Sequence, residues 1–103
     1  MTVIYIAKDG KQFNDEFECI NYEWLLDHPS IIKAVFLDKE ANKLGDFFSE
    51  DTYNNVVTIV VPDTNTLRDF CALARYTGFC AYLDIDRTGT WVWNNTTYNF
   101  ELI

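Results

Sequence analysis

The chain has 103 residues, which suits a single domain covering residues 1–103. Its 49% hydrophobic and 17% aromatic content excludes a disordered tail and predicts a packed core. Asp and Glu number 16 against 8 Lys and Arg, a net charge of −8, so direct binding to nucleic acid or to an anionic membrane is not expected. The same charge favours a basic protein partner, although an acidic surface also maintains solubility.

The sequence shows no sign of export or membrane insertion. No apolar run approaches the roughly 20 residues that span a bilayer, and the N-terminus lacks a basic leader. The three cysteines, Cys19, Cys71 and Cys80, show no paired spacing. We therefore expect reduced thiols and a cytoplasmic location.

The N-terminal third predicts a strand, a turn and a helix. Residues 2–7 are β-branched and aromatic, as in a strand, and Asp9-Gly10 is a turn signal. A helix is predicted from about Asp15 to Asp27, because Asp15 with Glu18 forms a capping box and Pro29 ends the pattern.

Two apolar lines run along this predicted helix. We expect the stronger one to face the core; its members are Phe13, Phe17, Ile20 and Trp24. The weaker line is more typical of contact with a neighbouring loop, but it could also support self-association; it contains Cys19, Tyr22 and Leu26.

A second strand is predicted over residues 31–37, followed by a long irregular region from Asp38 to Asn55. A short strand near Lys43-Leu44 could shorten that region. Loops beyond about 12–15 residues are uncommon in compact domains and are often functional. Residues 56–61 are apolar on both faces and predict a central strand.

The C-terminal half predicts one helix and three strands. The helix runs from about Thr66 to Thr77, with Asp63 and Thr64 as capping candidates and Gly78 as its stop. The strands are predicted at 79–85, 90–93 and 98–103. The order β-α-β-loop-β-α-β-β-β predicts an α+β fold: a mostly antiparallel sheet of about five to six strands with two helices on one face.

No combination of residues predicts catalysis or a metal site. The single histidine, His28, lies at a helix end, where it is more typical of a dipole partner than of a base. Residues 84–89 loosely match the start of a calcium loop, but Asn95 stands where that loop requires Glu, and a turn explains the same residues. We expect no cofactor, no metal and no enzymatic activity.

The residues from Asp38 to Tyr53 form the best candidate for a binding site. Interface hot spots combine aromatic anchors with a polar rim. The candidate partner-binding acids are Asp38, Glu40, Asp46, Glu50 and Asp51, joined by Glu16 and Glu23 of the first helix. The aromatic candidates are Phe47, Phe48 and Tyr53, of which at least one is expected to pack on the sheet.

A second aromatic group follows in the C-terminal strands. Trp91 and Trp93 alternate along one face, with Tyr98 and Phe100 as expected partners on the next strand. Such a ladder is typical of cross-strand packing. It could instead form a ligand face for a ring compound such as a nucleotide, consisting of Trp91, Trp93 and Tyr98.

The opening IYIAKDGKQFNDEFECINYE resembles that of small uncharacterised bacteriophage and prophage proteins with a YIAxDGxxF strand and turn before a CxxYE helix. The later segments VVTIVVPDTNTLRDFCALARYTG and GTWVW also resemble that group. The matching residues of the opening are Tyr5, Ile6, Ala7, Asp9, Gly10, Phe13, Cys19, Tyr22 and Glu23.

The resemblance implies a phage protein in the host bacterial cytoplasm, where small acidic proteins include anti-CRISPR proteins and other inhibitors of host defence. We therefore expect an inhibitor that binds a basic host nuclease or defence complex, with an anti-CRISPR-like occupation of its nucleic-acid groove. The alternatives are a nucleotide-sequestering protein, or a structural or accessory phage protein that forms a homo-oligomer.

Overall fold

The N-terminus forms a small hairpin. A computed structural model of the chain describes residues 3–103. Strand β1 (Tyr5–Ile6) pairs antiparallel with β2 (Gln12–Phe13), and Gly10 between them has φ of 95°. The predicted turn is therefore confirmed, and glycine suits it because other residues rarely adopt this φ. The predicted strand at 2–7 is shorter than expected, and its first residue lies outside the described residues.

Helix α1 (Glu16–Asp27) begins where its capping residue predicts. The Asp15 carboxylate accepts the backbone N–H groups of Phe17 at 2.8 Å and Glu18 at 3.4 Å, which satisfies two donors of the first turn. The chain then enters a 3₁₀ helix, Pro29–Lys33. The predicted strand at 31–37 is therefore wrong in its first part, since proline starts the 3₁₀ turn and the strand begins only at Val35.

The main sheet has four antiparallel strands. They are β3 (Val35–Asp38), β4 (Val56–Val61), β5 (Gly89–Asn94) and β6 (Asn99–Leu102), and they lie in that order. Strand β4 has a neighbour on each side, which confirms its predicted central position. The expected sheet of about five to six strands is thus replaced by four strands and a separate hairpin.

Part of the predicted irregular region is ordered as a helix. Helix α2 (Glu50–Asn55) leads directly into β4, and the Ser49 hydroxyl caps it by accepting the Asp51 N–H at 3.1 Å. The short strand predicted near Lys43 is a single bridge to Leu37.

Helix α3 (Thr64–Thr77) is capped by Asp63 and ends at Gly78, which has φ of 73°. The Asp63 carboxylate accepts the backbone N–H and the hydroxyl of Thr66, each at 2.8 Å. One of the two predicted capping candidates and the predicted stop are therefore confirmed. None of the helices within residues 3–103 combines the length and apolar character that crossing a bilayer requires.

The predicted strand at 79–85 is wrong. Residues Cys80–Asp84 form a 3₁₀ helix, which buries Tyr82 while Leu83 and Asp84 are exposed. A continuous apolar run does not distinguish a buried strand from a helical turn. The fold accordingly lacks the extra strand that this run predicts.

The core lies between one face of the sheet and α3. Across the sheet Phe36, Ile59 and Trp91 are aligned in register, and Phe70 and Leu73 of α3 are buried with them. The α+β class is confirmed, but the expected pair of helices on the sheet is not, since α1 packs on the hairpin and the first 3₁₀ helix. This position leaves part of α1 available for contact with another molecule.

Candidate protein-binding surface

Helix α1 is held on two sides by aromatic contacts. The Trp24 ring stacks on the Tyr76 ring of α3 with centroids 5.5 Å apart. The Tyr22 ring lies 5.2 Å from the Phe13 ring of β2, and Cys19 is buried on the same helix. A third side of α1 is left without a covering element among the described residues.

This uncovered side carries two large apolar residues. The Phe17 side chain is 75% exposed and Ile20 is 42% exposed. The prediction that their apolar line faces the core is therefore wrong for these two residues, and only Trp24 packs against the core. The physical reason is that the hairpin and α3 take the sides of the helix that carry Cys19 and Trp24.

Grooves flank the exposed residues on both sides. One, of about 420 Å³, separates α1 from β1 and is lined by Ile4, Ile6 and Ile20 together with Glu16 and Glu23. This groove therefore combines apolar side chains with two carboxylates.

The other groove, of about 430 Å³, separates α1 from the end of α3. Its walls include Phe17, Ile20 and Tyr76, and Glu50 of α2 contributes a carboxylate. We call the exposed pair and the carboxylates around it the α1 surface, defined as Glu16, Phe17, Ile20, Glu23 and Glu50.

The loop acids mostly organise the loop itself. Asp38 accepts the backbone N–H groups of Glu40 and Asn42, each at 2.9 Å. Asp46 accepts the Phe48 N–H at 2.9 Å. Glu40, Asp46, Glu50 and Asp51 are exposed, and the last two lie in the first turn of α2. These carboxylates are therefore spread over three separate turns.

The aromatic candidates of the loop all pack inward. The Phe47 ring meets Phe36 edge to face at 5.3 Å. The Phe48 ring lies 5.6 Å from Trp24, and Tyr53 stacks on Phe79 at 4.4 Å. Each is half-buried, so none of these three rings is among the large exposed apolar groups, whereas Phe17 and Ile20 of α1 are.

The two tryptophans of β5 do not form an open platform. Trp91 is only 6% exposed, and its indole N–H donates to the Arg87 carbonyl at 3.0 Å. Trp93 pairs with Phe100 as predicted, whereas Trp91 pairs with Leu102; Tyr98 precedes β6 and is exposed. The expected Tyr98 partnership is therefore wrong, because the turn before β6 extends through that residue.

A small cavity remains beside Trp93. It has a volume of about 160 Å³ and is lined by Tyr53, Asn54, Trp93 and Phe100, among others. This volume is close to the roughly 150 Å³ of an engineered apolar cavity that binds benzene.

The residues that could perform chemistry are dispersed. Within residues 3–103, no three His, Cys, Asp or Glu side chains lie close enough to hold a metal ion. His28 stacks on Trp24 with centroids 4.1 Å apart, and its Nδ1 lies 2.9 Å from the Trp24 carbonyl oxygen. Burial raises the pKa of the Cys19 thiol, helped by the negative charges of Glu23 and Asp9, which disfavours the reactive thiolate.

Comparison with known proteins adds no relative. Searches with protein-family models, among curated proteins and among solved structures each found no match to this chain.

Sequence reasoning missed the exposure of Phe17 and Ile20, although one signal was present. The apolar residues of α1 fall on two lines, which together are wider than the single apolar stripe of an ordinary surface helix, so part of them is left exposed. The contribution of Tyr76 to the same groove had no sequence signal, because it lies 59 positions after Phe17.

Proposed function

We propose that this chain acts by binding a basic protein, with the α1 surface as the main contact. The single observation that carries this proposal is the exposure of Phe17, which is 75%, beside Ile20 on a helix flanked by carboxylates. An aromatic anchor within a charged rim is the composition of an interface hot spot.

The free energy of transferring apolar side chains out of water also supports a binding role for these residues. The exposed part of a phenylalanine side chain adds no hydrophobic stabilisation to the isolated chain. Transferring it into an interface contributes about 25 cal/mol of binding free energy per Å² of apolar area removed from water. Because one groove runs from Ile20 toward β1 and another from Phe17 and Ile20 toward α3, a partner could bury more apolar area than the two side chains alone.

Charge favours a basic partner. The net charge is −8, and Glu16, Glu23 and Glu50 surround the exposed pair. Such a field speeds the approach of a cationic protein and orients it before contact, an effect that salt weakens.

The resemblance to phage proteins extends the proposal to the partner's identity. We propose that the partner is a host nucleic-acid-binding protein, such as a nuclease of a defence system. In that case the carboxylates of the α1 surface occupy positions that phosphates of the nucleic acid would take, and the chain acts as an inhibitor.

The proposal is tested by capture from a bacterial lysate with the immobilised chain, using Phe17→Ser/Ile20→Ser as comparator. Serine has a helix propensity similar to that of Phe and Ile, so this variant should stay folded. We expect a protein that is retained by the native chain and lost from the variant by at least about tenfold. Added double-stranded DNA should release the captured protein, because the DNA and this chain compete for the same groove of that protein.

Two controls make the result decisive. Leu83→Ser removes an exposed apolar side chain elsewhere and should retain the captured protein. Thermal melting should show both variants folded. Equal retention by the native chain and by Phe17→Ser/Ile20→Ser would refute the α1 surface as the contact.

A further inference from the structure

A third groove beside α1 has the composition of a receptor for a cationic side chain. It has a volume of about 360 Å³ and lies between α1 and the segment that precedes α2. Four aromatic rings line it, and two carboxylates lie among them: Phe13, Tyr22, Phe47, Phe48, Glu18 and Asp46. We call this groove the aromatic–acid pocket.

The carboxylates of this pocket have no cationic partner among residues 3–103. No Lys or Arg nitrogen of that part of the chain lies within 4.0 Å of Glu18 or Asp46. Asp46 is oriented by the Phe48 N–H at 2.9 Å, an interaction that uses one oxygen and leaves the other. Glu18 is exposed on α1, so both carboxylates can accept hydrogen bonds from a ligand.

A cation of the chain itself already contacts two of the four rings of the pocket. The Lys11 Nζ atom lies 4.7 Å from the centroid of Tyr22 and 5.4 Å from that of Phe13. These distances are within the range of a cation–π contact. The two rings therefore accept an ammonium group in this structure, which is independent support for a cationic ligand.

We propose that the aromatic–acid pocket receives an arginine side chain of the basic partner. A planar guanidinium can stack on a ring while its N–H groups donate to Glu18 and Asp46. An ammonium group is more strongly hydrated and lacks a flat face, so arginine is preferred over lysine. This inference rests on the proposed function and assigns the chemical group that the chain recognises.

The inference is tested by titrating the chain with octa-arginine and octa-lysine peptides, which carry the same charge. Isothermal titration calorimetry gives both dissociation constants. We expect octa-arginine to bind about tenfold more tightly than octa-lysine. A difference of this size is what a cation–π contact combined with a charge-assisted hydrogen bond can contribute. In Glu18→Gln/Asp46→Asn this preference should fall to about twofold or less.

A matched variant separates the pocket from general charge. Glu40→Gln/Asp84→Asn removes the same number of exposed carboxylates, neither of which lines the pocket. This variant should weaken the binding of both peptides equally and keep the preference for arginine. In Asp46→Asn the amide oxygen can still accept the Phe48 N–H, so the loop should stay folded.

Lys11 provides a test with the opposite sign. Lys11→Met frees the faces of Phe13 and Tyr22 and should tighten octa-arginine binding more than Lys39→Met, which changes the charge equally at an exposed position.

The outcomes are distinguishable. A preference for arginine that survives in Glu18→Gln/Asp46→Asn, or that is absent from the native chain, overturns the pocket and leaves the proposed function standing. Failure of both peptides to bind the native chain also refutes the pocket, whereas the proposed function is refuted only by the capture experiment with Phe17→Ser/Ile20→Ser.

Discussion

At the scale of single residues, the hydroxyl of Tyr82 is a buried polar group without a hydrogen-bond partner among residues 3–103. The side chain is 1% exposed, and its ring lies 5.2 Å from Phe70 and 5.8 Å from Phe36. Burial raises the pKa of this hydroxyl, and the nearby Tyr53 raises it further. The Tyr82 ring therefore stabilises the folded state, whereas its buried hydroxyl destabilises it.

Tyr82→Phe should keep the packing and remove the unsatisfied group. We expect the free energy of unfolding to stay unchanged or to rise by about 1 kcal/mol, measured by urea denaturation. Tyr82→Ala is the control and should lower it by about 3–5 kcal/mol through loss of the ring. A loss above about 1 kcal/mol for Tyr82→Phe would show that the hydroxyl is hydrogen-bonded.

At the scale of elements, α3 depends on its capping residue. Hydrogen bonds from the N–H and hydroxyl of Thr66 lower the pKa of Asp63 below its ordinary value of 3.8, and Lys33 adds a favourable charge. Since the folded state holds the ionised carboxylate, this contribution to stability is present above the unfolded-state pKa. It is lost as the pH falls through the lower folded-state value.

We therefore expect the native chain to melt at a higher temperature than Asp63→Asn near pH 6, with a difference that shrinks as the pH falls below the ordinary carboxyl pKa of 3.8. Asparagine caps helices about as well as aspartate but carries no charge. Asp63→Ala removes the cap and should melt below both variants near pH 6. Melting followed by circular dichroism measures this; a difference that does not change with pH would contradict the role of the charge.

The start and end of each long helix could be predicted from local residues. Asp15 and Asp63 determine the first turns, and Gly78 ends α3 because it tolerates a left-handed conformation. The buried side of α1 could not be predicted, since it depends on the hairpin and on Tyr76. The strand prediction at 79–85 failed because an apolar run has no period that separates a strand from a 3₁₀ turn.

The candidate site was predictable in composition but not in location. The acid-rich loop is where the sequence predicts it, yet its rings find partners distant in sequence: Phe36 for Phe47, and Trp24 for Phe48. Local pattern cannot show such contacts. The phenylalanine that the structure leaves exposed is Phe17, a residue whose helical spacing predicts burial.

At the scale of the whole molecule, the chain is elongated. It extends 51 × 26 × 22 Å with a radius of gyration of 14.8 Å, against about 13 Å for a compact chain of 100 residues. The −8 charge is thus distributed over a long surface, along which α1 presents apolar groups between carboxylates. The proposed insertion into a basic groove makes use of this elongated shape.

Charge and apolar contact should contribute to binding in separable ways. Changing Glu16, Glu23 and Glu50 to Gln reduces the electrostatic attraction to the partner, which depends on the salt concentration. Changing Phe17 and Ile20 to Ser reduces the apolar contribution to the binding free energy, which salt changes little. The two variants should therefore alter different features of a plot of log association constant against log salt.

The most direct test is that plot for the captured partner, measured for the native chain and both variants. We expect Phe17→Ser/Ile20→Ser to lower the association constant by at least about tenfold at every salt concentration with the slope unchanged. The triple Gln variant should flatten the slope. If both variants give the same line as the native chain, the α1 surface is not the binding surface.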